Sequence, residues 1–296
     1  MPLVVMIFVT QWFLIVINRT LSEMSSGTIA EYGYAFKLSN LPYFLPLSLT
    51  TVLFPAFSDA YAHDDPLEFS RLVMRSTKMI LLLTVPLASL LFVMRDSLVF
   101  LTLQWGAMNT SAANDISGLF GILLVCAPAG ALSLLLQKVA FSRGDMKSPA
   151  VTQVILALSI ALFVPYAGTV AGAKGAVWAY TIALWMCTVL LIVIQAWWYR
   201  AVQFLPLVRY SCLIVLIALG TAAISVATRE AISVLLAQSK PTAILSLFLA
   251  ASMSVAFSYR LAKLIGVHEV SELSGYIRWQ WERLSLSRTV RKRDHQ

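Results

Sequence analysis

Two cations, Lys37 and Lys138, stand inside long apolar stretches of the sequence. A charge at the centre of a hydrocarbon layer costs about 2.5–3.5 kcal/mol on insertion scales, so such residues are usually retained for a ligand or an ion path. Lys37 follows Ile29 by eight residues. On a straight helix that places it ~12 Å below the edge of its span, near the middle of a layer ~30 Å thick. It reads either as a cation facing a hydrated cavity or as a long side chain that snorkels outward or pairs with Glu31. Lys138 lies five residues before Arg143, close enough to a span edge to snorkel. The acids Glu31, Asp59, Asp96 and Asp115 occur at span edges, none of them deep. The embedded charge is therefore positive, and its natural partner is an anion such as a phosphate or pyrophosphate headgroup.

Other chemistries lack their parts. No Gly-rich phosphate loop, HExxH, GxSxG or DxD-like cluster lies at a span end, so the reading is not an enzyme. Cys126, Cys187 and Cys212 fall in apolar blocks without CxxC spacing, and His63, His268 and His295 are far apart, so neither a disulfide framework, a metal site nor a cofactor is indicated.

The elements that must position these residues follow from composition. Of 296 residues, 59% are hydrophobic and 12% charged, with a net charge of +8. An ordinary soluble domain is roughly a quarter charged, so a soluble globule is excluded. The basic residues flank apolar blocks, where they set topology and touch anionic lipid; nucleic acid is discounted as a partner. The blocks lack the period-2 alternation of barrel strands and read as helices. Eight spans are expected: 2–17, 29–57, 79–94, 117–141, 150–166, 175–198, 208–227 and 241–265. The fold class is thus an all-α polytopic membrane protein, with a transmembrane lobe over 1–268 and a cytoplasmic tail over 269–296. The first block starts at Met1 without a basic n-region and ends at Asn18-Arg19, which reads as a span rather than a signal peptide.

Alternate loops differ in charge. One side carries 15 Lys and Arg residues, including Arg71, Arg75, Lys78, Arg143, Lys147, Arg200 and Arg209; the other carries five, Arg19, Arg95, Lys174, Arg229 and Lys240. The positive-inside rule then puts both termini in the cytoplasm. Pro42, Pro46 and Pro55 each remove a helical hydrogen bond and are expected to bend the second span, as a hinge or simply as shape. Asp65-Pro66-Leu67-Glu68 reads as a helix start, opening a helix whose Arg71, Arg75 and Lys78 face headgroups. In the segment 142–149, Gly144 and Asp145 supply a tight turn beside Arg143, and Ser148-Pro149 are expected to cap the next helix. The tail places Leu273, Ile277, Trp281 and Leu284 on one face and ends in Arg291-Lys292-Arg293, an interfacial amphipathic helix or a docking surface.

Four pieces then carry a resemblance: Ile17-Asn18-Arg19-Thr20-Leu21-Ser22; Tyr34-Ala35-Phe36-Lys37-Leu38 with Leu41-Pro42; Thr51-Val52-Leu53-Phe54-Pro55-Ala56-Phe57-Ser58; and Ala140-Phe141-Ser142-Arg143-Gly144-Asp145-Met146-Lys147-Ser148-Pro149. In order and spacing they resemble the MurJ (MviN) family of lipid II flippases, within the multidrug/oligosaccharidyl-lipid/polysaccharide exporter superfamily. The eight spans correspond to helices seven to fourteen of that fourteen-helix fold. The resemblance implies one lobe of a two-lobe flippase in the bacterial cytoplasmic (inner) membrane, alternating access, and a lipid-linked anionic saccharide as substrate. It further implies a missing N-terminal lobe, from the same gene or a separate chain, with Lys37 at the headgroup and Arg19 at the outer mouth. The family has arginine where this chain has Lys37, which lacks the bidentate fork suited to pyrophosphate. A flippase for another polysaccharide precursor lipid, or a non-transporting membrane assembly module, are the alternatives.

Overall fold

The computed structural model describes residues 2–103, 109–235 and 248–254, together with 256, 257 and 260. The chain runs through α1 (Pro2–Ser22), α2 (Thr28–Ser39), a single 3-10 turn (Leu41–Tyr43), α3 (Phe44–Ala62), α4 (Pro66–Val93), α5 (Arg95–Leu103), α6 (Thr110–Ser142), α7 (Lys147–Trp197) and α8 (Phe204–Leu235). Residues 248–254 are helical as well, and no strand occurs among the described residues.

Local chemistry sets several of these boundaries. The Asp65 carboxylate accepts from the backbone N–H groups of Leu67 and Glu68 at 3.0 and 2.9 Å, and Pro66 opens the helix, where its missing N–H costs nothing. Asn109 starts α6 in the same way, accepting from Ala112 N–H at 2.8 Å. Hydroxyls buried in the bundle bond back to the preceding turn, as in Thr77 to Val73 O at 2.8 Å and Thr84 to Ile80 O at 2.7 Å. That leaves no hydroxyl of these residues unpaired where lipid offers no partner.

Among the described residues, four helices are long and apolar enough to cross a membrane, or five if the bent pair α2–α3 forms one span. The expected spans 79–94, 117–141 and 208–227 fall inside α4, α6 and α8, and 2–17 inside α1. The span expected over 29–57, and expected to bend at its prolines, is a bent pair: Thr28–Tyr43 and Pro46–Ala62 meet at 46°. The expected spans 150–166 and 175–198 are two arms of α7, broken at Ala171 and Gly172. Arg143, just before the first arm, touches Gln195 near the end of the second, so the arms run antiparallel. The span expected at 241–265 is described only over 248–254 and three later positions, and the tail over 269–296 lies outside the described residues.

At the centre is α6, which packs against α2, α3, α4, α5 and α7, while α1 lies on α7 and α8 on α4. Its first half joins one apolar core with Ile17, Tyr32, Ala35, Ile160, Val164 and Val177. Its second half joins another with Phe57, Phe69, Val73, Ile80, Leu191 and Ile214. The break between α2 and α3 falls at the seam between the two cores. Charges gather at the ends of the bundle. At one end Asp96 accepts from Ser117 Oγ and lies 3.6 Å from Arg229 and 3.8 Å from Arg95, while Lys174 meets Asp115 at 3.5 Å. The other end holds the loops at 63–65, 143–146 and 198–203, which share a cavity. Among the described residues, Arg95, Lys174 and Arg229, assigned to one side from the sequence, lie at one end, and Arg143, Lys147 and Arg200, assigned to the other, lie at the opposite end.

Candidate functional site

The second span places its cation where the helix stops. Lys37 occupies the last turn of α2, whose C-cap is Asn40, and its side chain is exposed. There the helix dipole presents partial negative charge, which favours a cation at that position. The depth inferred from a straight helix is therefore replaced by a different fact, that Lys37 sits at a helix end within a broken span. Its Nζ lies 5.9 Å from the centre of the Tyr34 ring, a cation–π geometry. The expected alternative of pairing with Glu31 is not realised; among the described residues Lys37 has no carboxylate within 4 Å.

Tyr34, Lys37, Ser48, Thr51 and Asp59 are all exposed along α2 and α3, interleaved with the exposed Leu41, Phe44, Leu47 and Val52. A face of this composition mixes cation and hydroxyls with apolar bulk. The hydroxyls are already served, Ser48 by Phe44 O and Thr51 by Leu47 O, each at 2.9 Å. Among the described residues the Lys37 ammonium, the Tyr34 hydroxyl and the Asp59 carboxylate are the groups of this face left with hydrogen-bonding capacity, and Lys37 is the cation among them.

The three prolines separate. Pro42 lies in the 3-10 turn and Pro46 in the first turn of α3, so both stand at the bend. Pro55 is carried inside α3, which continues through it to Ala62. Arg19 is at the end of α1, exposed, and 3.6 Å from Glu23 one turn on. An exposed pair of this kind contributes about 0.3–0.5 kcal/mol. Lys138 points at α3, with its Nζ 5.5 Å from the Phe54 ring centre. The stripe expected to face headgroups divides: Arg71 and Arg75 are exposed, whereas Lys78 is half-buried over Tyr210, with its Nζ 5.2 Å from the ring centre.

The turn after α6 is more elaborate than its sequence suggests. Gly144 has φ +75°, a left-handed conformation that a side chain would strain. Asp145 Oδ1 accepts from Lys147 N–H at 3.0 Å and Ser148 N–H at 3.1 Å. The helix start is thus capped by Asp145, not by Ser148-Pro149 as expected; Ser148 and Pro149 are already inside α7 and buried. Partial burial pushes the Asp145 carboxyl upward, but bonds from Ser148, Tyr199 and Lys147 outweigh it and hold the group below its ordinary value. Arg143 packs its guanidinium 4.0 Å from the Tyr199 ring centre and 5.5 Å from that of Phe69, and donates to Gln195 Oε1. Neither Gln195 nor Tyr199 carried any signal in the sequence, because their partner is about 50 residues away along the chain. The turn lies at the opposite end of the bundle from Arg19, and the structure does not bring it to Lys37.

Long apolar helices, broken spans and buried Ser and Thr hydroxyls bonded back to their own turns define an α-helical multi-pass membrane protein. Among solved structures the chain is similar to "Lipid II flippase MurJ, inward closed conformation", with TM-score 0.74 and 17% identity, covering 88% of this chain and 52% of that one. It is also similar to a MOP superfamily transporter from Pyrococcus furiosus, with TM-score 0.59 and 14% identity, covering 93% of this chain and 69% of that one. At these identities the likeness concerns the fold. The family described as "Lipid II flippase MurJ" matches residues 1–249, and the chain belongs to that family. Two relatives named "Probable lipid II flippase MurJ" agree. One, from Rhizobium tropici, is 28% identical over 185 residues, 60% of this chain and 34% of its own length. The other, from Rhizobium meliloti (strain 1021), is 26% identical over 220 residues, 72% of this chain and 40% of its own length. The chain therefore spans between a third and two fifths of the length of these relatives and about half of the solved flippase.

Proposed function

We propose that this chain forms one lobe of a flippase that carries a lipid II-type precursor, a saccharide on undecaprenyl pyrophosphate, across the bacterial cytoplasmic membrane by alternating access. Membership of the flippase family supports the substrate class. The observation that carries the reading for this chain is Lys37: an exposed ammonium without a carboxylate partner, at the helix end inside a broken span. A cation on such a face is stabilised by water or an anion, not by hydrocarbon. In this reading Lys37 meets the pyrophosphate, Arg19 lies at the outer mouth, and the bend at Pro42 and Pro46 lets the span change shape. The complementary lobe closes the other side of the cavity, and rocking of the two lobes about the site moves the headgroup. The loops rich in Lys and Arg, with both termini, face the cytoplasm.

The test is growth of a bacterium depleted of its own lipid II flippase and given this gene in its native genomic context. Rescue is expected from the wild type and from Lys37→Arg, and loss of rescue from Lys37→Glu and Lys37→Ala. Rescue by Lys37→Glu at the wild-type level overturns the role of Lys37, and failure of the wild type to rescue overturns the lipid II reading.

A further inference from the structure

The loops at the lysine- and arginine-rich end enclose a cavity of about 790 Å³, distant from Lys37 and unused in the reading above. We propose that it binds the phosphate headgroup of an anionic glycerophospholipid. Three loops far apart in the sequence build it, contributing Asp64 and Asp65, then Arg143 to Lys147, then Trp198 to Gln203. Its charged side chains are three bases, Arg143, Lys147 and Arg200, and three acids, Asp64, Asp65 and Asp145. By count they cancel, but they are not equally available. Asp65 and Asp145 each commit an oxygen to two backbone N–H groups at a helix start. Lys147 and Arg200 are exposed, and among the described residues neither has a carboxylate within 4 Å. Asp64 is the acid without such a commitment. These bonds leave the carboxylate charges in place but take up acceptor capacity, so Lys147 and Arg200 are the basic groups at the cavity left free to meet an anion.

Two buried donors point the same way. Arg143 Nε and Gln195 Nε2 have no hydrogen-bond partner among the described residues, and Gln195 is fully buried; the one buried acceptor there in the same condition is Asp145 Oδ2. Both belong to the Arg143–Gln195 pair, of which Arg143 lines the cavity and Gln195 lies buried behind it. Unpaired buried N–H groups are costly and call for an acceptor, which phosphate oxygens supply. Two of the three loops also carry a non-glycine residue in the left-handed region, Asp64 at φ +53° and Arg200 at φ +49°. Such conformations persist where the surroundings hold them, and they cluster at ligand clamps.

The setting selects a lipid over a free anion. Trp197 and Trp198 are 79% and 77% exposed beside the cavity, and Tyr199 forms its wall. Paired tryptophans at the end of an apolar span sit at headgroup depth. Leu67 and Met146, also exposed on the rim, offer contacts to the glycerol and first acyl carbons.

The full-length chain is purified in detergent and titrated with dioleoylphosphatidylglycerol, with bound lipid read by native mass spectrometry. Affinity should fall by about fivefold for each of Lys147→Gln and Arg200→Gln, the size expected for one basic group near an anionic headgroup. It should rise for Asp64→Asn, which keeps a residue tolerant of the left-handed conformation. Arg71→Gln, at the same end but outside the cavity, should change it by less than about twofold, a mere local loss of diffuse attraction. Equal losses from Arg71→Gln and Lys147→Gln overturn the site in favour of diffuse attraction. Equal binding of dioleoylphosphatidylcholine, or full competition by inorganic phosphate at the lipid's own concentration, overturns the lipid assignment. Thermal unfolding of each variant without lipid should match the wild type, and the charge-keeping Lys147→Arg should bind as the wild type does.

Discussion

The ring of Tyr43 fills the notch that Gly130 leaves in α6: a methyl group added at Gly130 would overlap the Tyr43 hydroxyl and come within 2.9 Å of two ring carbons. Gly130 lies between Ala129, in the first core, and Ala131, in the second. Tyr43 lies in the 3-10 turn that breaks the second span. One residue of α6 therefore receives the bend of the neighbouring span at the seam of the bundle. Gly130→Ala is expected to displace the whole ring, because the turn holding it is short and packed. Overpacking of this kind typically costs about 1–3 kcal/mol. Thermal unfolding of the purified chain in detergent should show the loss, and adding Tyr43→Leu should recover part of it. An unaltered melting profile for Gly130→Ala would mean that the turn is free to move away.

Gly172 has φ +63° and ψ −157°, a region open almost only to glycine, and with Ala171 it separates the two arms of α7. Nothing lies within 4 Å of a Cβ at Gly172, so a substitution there is opposed by backbone strain alone. Gly172→Ala is expected to lower stability by about 1–3 kcal/mol, the usual cost of a residue held in such a region. Gly33, which has a similarly open Cβ direction but lies in the regular helix α2, is the control. Gly33→Ala should be neutral or stabilising, since alanine favours a helix by about 1 kcal/mol over glycine. Equal effects of the two changes in a detergent melt would contradict a specific role for the break.

These two glycines also mark where the sequence was legible and where it was not. The apolar blocks located α4, α6 and α8, because a span must be long and apolar wherever it packs. They also gave eight segments where the backbone shows a bent pair and one merged helix. The residues 167–174 read as a connection between spans, yet the backbone leaves helical angles only at Ala171 and Gly172. α4 begins at Pro66, well before the apolar block at 79, since the stripe with Arg71 and Arg75 belongs to the same helix beyond that block. α5 was missed entirely: at nine residues it is too short to span and has no sustained apolar run. For the site, the identity of Lys37 as a cation within a span was readable, but its position at a helix end depends on the break at Asn40. Asp65 was recognised as a cap because its partners are adjacent. The cavity at the other end was not, because its three loops meet only after the bundle has formed.

Asp145 closes the start of α7 and should make that start sensitive to acid. Its carboxyl is held below its ordinary value of 3.8, because the bonds from Ser148, Tyr199 and Lys147 outweigh the effect of burial. A carboxylate with a depressed folded-state value contributes stability that is fully present above its unfolded value and lost as pH falls through the folded one. The window therefore opens near pH 3.8 and extends downward. At neutral pH, Asp145→Ala should cost about 0.5–2 kcal/mol, as for other helix caps. The stability gap between wild type and Asp145→Ala should stay constant from neutral pH to about pH 5 and then narrow as acid is added through that window, where the carboxylate gains its proton. Asp145→Asn, which keeps an acceptor for the Lys147 and Ser148 N–H groups but carries no charge, should retain most of the stability without the acid dependence. The three chains are compared by detergent melts between pH 3 and pH 7. A gap that is unchanged down to pH 3 would show that the cap acts through its hydrogen bonds and not through its charge.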